Sequence, residues 1–431
     1  MAEAAKSTAI RAAADDAKRY WLDEGRTAGG FIRQVDYAAN STGVHPLFAG
    51  IKIVDCDTHF TEPPDLFTAN APAGLKDKLP RVKRVGDADR WFVGDRDFGS
   101  LGGNVIAKDH NKLLGKLAFT RYEQIHESSY LVGPRLKVMD EMGIWAHICF
   151  QNGGLTQAGS LLALNDEELA MTIMRMFNDA CAQRMMDSGG RINCMGSLPY
   201  WDQKLMEQEA RRIVDLGIKG VVMPDRPERV GVPGYVGTDG KVSPYWEGFF
   251  DLANSTGTPL CFHINAALDA ESAMWDNLGF DQKLPISAML HTIGTCATMS
   301  NFMVSGILDR YEKLKIGLIE SGIGWVPFVL ECMEHQLDEF RTRLNRGLKR
   351  RPKEYFAQNF WVCFWFETFA PTKMMEEIGF DRVLFETDYP HPTSLYPGVQ
   401  QKLAETIGKY DYATRKQVLQ QNAADLFNLK L

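Results

Sequence analysis

An alternation of helix and short apolar strand constrains this 431-residue chain more than any other feature. Helices are expected at residues 130–142, 166–186, 204–216, 245–254, 292–311, 326–345 and 373–377. Each precedes a strand, at 146–150, 192–198, 219–223, 259–265, 315–320, 360–367 and 382–387 in that order. Helices near 399–410 and 413–427 finish the chain, and an earlier apolar run, Ile51–Val54, supplies the first of eight strands. The strands are apolar on both faces and bounded by Gly or Pro, as buried parallel strands are. Eight such units predict a (β/α)8 TIM barrel in preference to a doubly wound open sheet.

Composition narrows the function classes. With 45% hydrophobic and 24% charged residues the chain reads as an ordinary globular protein. A net charge of -7 leaves no electrostatic footprint for nucleic acid or an anionic membrane. No apolar run is long enough to span a bilayer, and the first residues lack the apolar core of a secretory signal. Eight scattered cysteines, none at Cys-x-x-Cys spacing, match neither a zinc finger nor a disulfide scaffold. A reducing cytoplasm is expected.

Two segments stand apart from the barrel, which is expected over residues 51–431. Residues 1–50 form an Ala-rich helical arm (about 4–23) and a Gly-containing connector. The arm has too few large apolar residues to build a core, so it is expected to lie on the main domain or on a neighbouring subunit. A homo-oligomer, or pairing with a related subunit, follows as the expectation for partners. The insertion 70–127 is rich in Gly, Lys, Arg and Asp, with a hairpin-like stretch at 85–99. A long insertion beside a site is expected to be a lid, a substrate loop or an oligomer contact.

Barrels assemble their sites where strands end. Strand one stops in Asp55, Asp57 and His59, then Glu62, before Pro63-Pro64. Alternation puts Asp55, Asp57 and His59 on one face. Two carboxylates and an imidazole at the end of a buried strand are costly without a compensating cation, although turn capping and local hydrogen bonds would also use them. Strand five ends in His263, strand six in Glu320, and strand eight in Glu386 and Asp388, with His391 just beyond. Their joint placement predicts a metal site. His391 either reaches a substrate or second metal, or is a loop histidine bonded to nearby backbone. His291 opens the helix after strand five, a helix-start role with a pocket contact as the alternative. His45, His110, His126, His147 and His335 read as structural or solvated, and Trp325 and Trp365 as barrel-top packing or an aromatic wall.

Four pieces carry a resemblance: DTHFTEP at 57–63, FHIN at 262–265, SGILDRYEKLKIGLIESGIGWVPF at 305–328 and ETDYPHP at 386–392. Over roughly residues 51–431 the chain resembles the amidohydrolase superfamily. Within it the resemblance is to the branch with aminocarboxymuconate semialdehyde decarboxylase and the resorcylate-type decarboxylases. The resemblance implies a divalent metal held by Asp57, His59, His263 and Asp388, with positions left open for water or substrate. Zn²⁺ and Mn²⁺ both suit such donors, and iron is the further option. Glu62, His291 and His391 are additional metal or substrate contacts under the same reading. One departure stands out. Where the decarboxylases carry a histidine and then glycine after strand six, this chain has Glu320-Ser321-Gly322. Glu320 would then be an acid–base group with a raised pKa, or a metal ligand.

The leading expectation is a metal-dependent hydrolase or non-oxidative decarboxylase of a small carboxylate-bearing or aromatic molecule, with Glu320 and Asp388 moving the proton. The alternatives are a dinuclear iron or manganese monooxygenase on the same scaffold, and a metal-binding, non-catalytic partner subunit of such an enzyme.

Overall fold

A computed structural model of the chain describes residues 33–35, 37, 43–69, 71–72, 74–102, 105–114, 116, 118–263, 274–340 and 347–431. The expected Ala-rich helix of the arm lies outside them. Eight parallel strands form the centre: β1 (Val54–Phe60), β2 (Ala146–Gln151), β3 (Ile192–Cys194), β4 (Val221–Val222), β5 (Leu260–His263), β6 (Ile316–Ile319), β7 (Phe360–Phe364) and β8 (Val383–Phe385). β1, β2 and β3 pair in register, and β4 through β8 do the same. Single parallel bridges join the two arcs, Gly196 to Val221 on one side and Thr58 to Tyr389 on the other. The strands follow one another around the ring in chain order, and the barrel closes.

Why these segments form strands is visible in their burial. Every residue of β1, β3, β6, β7 and β8 is buried. One cluster gathers Val54, Cys56, Ile148, Phe150, Met195, Cys261, Ile319, Trp361, Cys363 and Leu384. Ala423, Leu426 and Phe427 of the C-terminal helix belong to it too. A larger cluster joins the other faces of the strands (Leu260, Phe262, Leu318, Val362, Val383) to the surrounding helices through Ile173, Phe177, Ile213, Trp246 and Phe302. Two of those helices start at side-chain caps. Asp166 accepts from Leu169 N–H (3.0 Å) and Asp202 from Leu205 N–H (2.8 Å).

Two features depart from the alternation as read. β1 carries an irregularity between Asp55 and Thr58, so strict two-residue periodicity fails within it. The helix after β5 runs over Phe280–Val304 instead of starting at Thr292. Pro285 resembles a breaker in the sequence, but it lies in the second turn, where it forfeits one ladder bond and the helix continues. His291 is therefore mid-helix, and the helix-start role is corrected.

The insertion has its own architecture. Strands Pro80–Val85, Ala88–Val93 and Arg96–Ser100 form an antiparallel meander. Its turns are the dipeptides Gly86-Asp87 and Gly94-Asp95, each glycine at positive φ (57° and 58°), as two-residue hairpin loops require. Trp91 of the meander packs edge-on against Phe67 (6.0 Å between centroids). Lys112–Leu114 pairs antiparallel with Arg33–Val35, and Tyr37 stacks on Tyr396. The end of the arm thus docks on its own chain. None of the described helices is long and apolar enough to cross a membrane.

Candidate metal centre

The rim at the C-terminal strand ends collects the ionisable groups. Asp57 and His59 come from β1 and His263 from β5, while Glu320 and Asp388 follow β6 and β8. Asp57 Oδ1 lies 3.3 Å from His263 Nε2 and 3.6 Å from His59 Nε2. Glu320 Oε2 is 3.2 Å from His263 Nε2, and Asp388 Oδ1 is 3.4 Å from His59 Nε2. One donor atom from each of Asp57, His59, His263 and Glu320 falls within 4.8 Å of the other three. A second group, His59, Asp388 and His391, meets the same condition. Glu320 and Asp388 both sit in left-handed backbone (φ 58° and 65°), which costs a non-glycine residue about 1–2 kcal/mol and turns both carboxylates inward at the strand ends.

The donor set fits a divalent cation. Among the described residues, both oxygens of Asp57 and His59 Nε2 are buried with no hydrogen-bond partner. His59 Nδ1 lies 3.1 Å from the Gln151 carbonyl, which takes its proton and leaves the Nε2 lone pair facing the cluster. With protein groups alone, burial and then the neighbouring acids push Glu320 well above the usual carboxylate range. Burial drives Asp57 the same way. A cation among them removes that penalty. Burial also opposes ionisation of Asp388, but His391 and His59 outweigh it and hold its carboxyl well below the ordinary range. Burial, with the charge of His391 next, lowers the His59 pKa.

Asp55, read from the sequence as sharing a face with Asp57 and His59, faces elsewhere. The irregularity in β1 turns its carboxylate to Thr387, whose N–H (2.9 Å) and hydroxyl (2.5 Å) donate to it. Burial pushes Asp55 up to about 7 despite these bonds. Other supporting residues were not singled out in the sequence. Buried Arg135 donates to the His59 carbonyl (2.6 Å) and lies over the rings of Phe60 and Tyr389. The loop after β6 is pinned by two carboxylates. Glu386 accepts from Glu320 N–H (2.9 Å), and Glu367 accepts from Ile323 and Gly324 N–H. A Cβ on Gly322 would meet Glu367 at 3.0 Å, so that close approach requires glycine. Asn152, just past β2, contacts His391 (2.7 Å). It stands at a strand end as His263 and Glu320 do, and reading the end of strand two would have found it. No comparable sequence signal marks Arg135 or Glu367.

The amidohydrolase family model matches residues 155–429, more than half of the chain. This chain belongs to the amidohydrolase family. It is similar to gamma-resorcylate decarboxylase of Polaromonas sp., with 28% identity over 59% of this chain and 76% of the relative. An amidohydrolase of Mycobacterium avium subsp. paratuberculosis has a similar structure, with a TM-score of 0.66 at 22% identity, covering 89% of this chain and 99% of that one. A dihydroxybenzoic acid decarboxylase of Polaromonas sp., with bound manganese and 2-nitroresorcinol, follows at a TM-score of 0.55 and 21% identity, covering 88% and 97%. The structural likenesses establish the fold as the amidohydrolase barrel.

Not every residue singled out in this amidohydrolase's sequence joins the cluster. Glu62 is buried against Gly153, and among the described residues its carboxylate has no hydrogen-bond partner. Burial pushes it up to about 7, with Arg184 pulling the other way. It is not among the grouped metal donors. Trp325 donates its indole N–H to the Ser321 and Gly322 carbonyls and so braces the Glu320 loop. Lys112 of the insertion reaches the Ser394 carbonyl, and burial lowers its ammonium to about 8.

Proposed function

We propose that this amidohydrolase is a metal-dependent, non-oxidative decarboxylase of small aromatic carboxylates. One observation carries the reading: four donors, Asp57, His59, His263 and Glu320, converge at one barrel rim beside the short Asp388–His391 contact. Similarity to decarboxylases over much of the chain supports the reaction class. Manganese is the cation favoured here, because the donors are mixed nitrogen and oxygen and a decarboxylase of the same fold binds it. When bound, the cation would supply positive charge for the substrate's carboxylate.

The chain's own groups do the rest. Non-oxidative loss of CO2 needs a proton delivered to the ring carbon that bears the carboxylate. The C–C bond then breaks, its electron pair restores the aromatic ring, and CO2 leaves. The contact between His391 Nδ1 and Asp388 Oδ1 is 2.6 Å, a separation at which two lone pairs require a shared proton. We assign that proton to the transfer and the Asp388–His391 pair as the unit that delivers it. Thr393 steadies the other Asp388 oxygen with a hydroxyl hydrogen bond of 2.7 Å. In the sequence the proton work fell to Glu320 and Asp388 together. The place of Glu320, 3.2 Å from His263, favours a donor role to the metal instead. The two donor groups share His59, whose one available lone pair serves one ion, so a mononuclear centre is favoured over a dinuclear oxygenase.

The proposal extends to setting and assembly. Eight thiols without a disulfide suit a reducing cytoplasm. Helix Phe280–Val304 has no charged residue after Lys283, yet exposes Met289, Ile293 and Val304, a face suited to a second copy of the chain.

The test is direct. Protein reconstituted with manganese is incubated with 2,6-dihydroxybenzoate and other ortho-hydroxybenzoates, and CO2 is measured. Release of CO2 with one equivalent of the decarboxylated phenol is expected. Hydrolysis of esters or amides without any CO2 from these acids would overturn the assignment.

A further inference from the structure

Asn152 makes three hydrogen bonds, and they leave its side chain one orientation. Its Nδ2 donates to Thr61 Oγ1 (2.7 Å) and to the Gly102 carbonyl (2.8 Å). A carbonyl only accepts, so the NH2 group must face Gly102, and both of its hydrogens are used. Asn152 Oδ1 is then the atom that faces His391 Nε2 at 2.7 Å. An amide oxygen only accepts as well. His391 must therefore carry a hydrogen on Nε2, and its Nδ1 is the atom presented to Asp388 Oδ1.

We propose that Asn152 is a positioning residue that fixes the ring of His391, and through it Asp388, and that ties both to the insertion. Its three partners come from different parts of the fold. Thr61 follows β1, Gly102 belongs to the insertion, and His391 lies in the loop after β8. Without that acceptor the ring of His391 would be free to turn, and Nδ1 would lose its fixed place against Asp388. The amide removes that freedom. Because the Gly102 carbonyl orients the amide, the insertion reads as a brace for the site. It does more than cover it. The inference rests on the proton-transfer role given above to the Asp388–His391 pair, while its geometric content stands apart from any substrate.

The experiment uses full-length protein with selectively ¹⁵N-labelled histidine, the His391 signal being the one missing from a His391→Gln variant. A bonded Nε2–H resonance is expected for the parent protein. Asn152→Asp keeps an acceptor for His391 and should retain that signal. Asn152→Ala should lose it, with thermal stability and manganese content close to the parent's. An unchanged His391 spectrum in a folded Asn152→Ala protein overturns the proposal, and so does loss of the signal in a folded Asn152→Asp protein. Turnover is a separate readout. Asn152→Ala should lower kcat by about 10–100-fold at unchanged KM, and Asn152→Asp should restore most of it. If no aromatic acid is decarboxylated by any form, the function assignment fails while the imidazole spectra still decide the role of Asn152.

Discussion

The Asp55 carboxylate takes both the backbone N–H and the side-chain hydroxyl of Thr387, at 2.9 and 2.5 Å, and this clasp joins the first barrel strand to the chain just past the last. Beside it the backbone bonds from Asp388 N–H to the Asp57 carbonyl (2.9 Å) and from His59 N–H to the Tyr389 carbonyl (2.6 Å) complete the seam. The seam carries Asp57, His59 and Asp388, so the closed barrel brings two of the proposed metal donors beside the proposed proton-transfer pair.

Thr387→Val removes the hydroxyl and leaves a buried carboxylate oxygen without its donor. Destabilisation of about 1–3 kcal/mol is expected, read by chemical denaturation. A variant as stable as the parent would show that the backbone bonds hold the seam unaided.

Glu62 predicts a pH effect. Its pKa in the folded chain, about 7, lies above that of an exposed glutamate, so the folded state holds a proton that the unfolded state releases. Its contribution is thus fully present below the unfolded pKa of about 4.3 and is lost as pH rises towards 7, by up to about 1.4 kcal/mol per pH unit. Glu62→Gln cannot titrate and should show a shallower fall in melting temperature between pH 5 and pH 7. Identical pH profiles would mean that Glu62 keeps its charge in the fold.

For His263→Ala we expect loss of most bound metal, with apparent manganese affinity lower by about 100-fold or more, since His263 Nε2 lies 3.3 Å from Asp57 Oδ1 and 3.2 Å from Glu320 Oε2. Metal analysis of the purified variant decides it, and full occupancy would remove His263 from the donor set.

Glu320→Gln keeps the shape of the side chain and removes its charge. Manganese affinity should fall by about 10-fold or more, as for a lost donor. Should metal content hold while turnover drops by about 10²–10⁴-fold, Glu320 is the acid–base group and the proton assignment to the Asp388–His391 pair is wrong.

The barrel was legible in the sequence because buried parallel strands must be apolar on both faces and the helices between them must punctuate them. Leu260–Phe262, Ile316–Ile319 and Val383–Phe385 satisfy that rule with local residues alone. The candidate site residues were legible for a related reason: ionisable side chains such as His263 and Asp388 interrupt apolar runs only where something compensates them. Which acid meets which histidine was another matter. Alternation put Asp55 with Asp57, and one irregularity in β1 sent it to Thr387 instead. Glu320 joined His263 because a left-handed residue ends β6, a backbone choice held by Glu386 from the neighbourhood of another strand. Asn152 acquired its orientation from the Gly102 carbonyl, a partner supplied by the insertion. Periodicity is a property of neighbours in sequence, whereas hydrogen-bond partners and backbone handedness at strand ends depend on segments brought together only when the ring closes. The sequence alone therefore determined the barrel and its chemistry-bearing residues, and the tertiary structure decided their pairing.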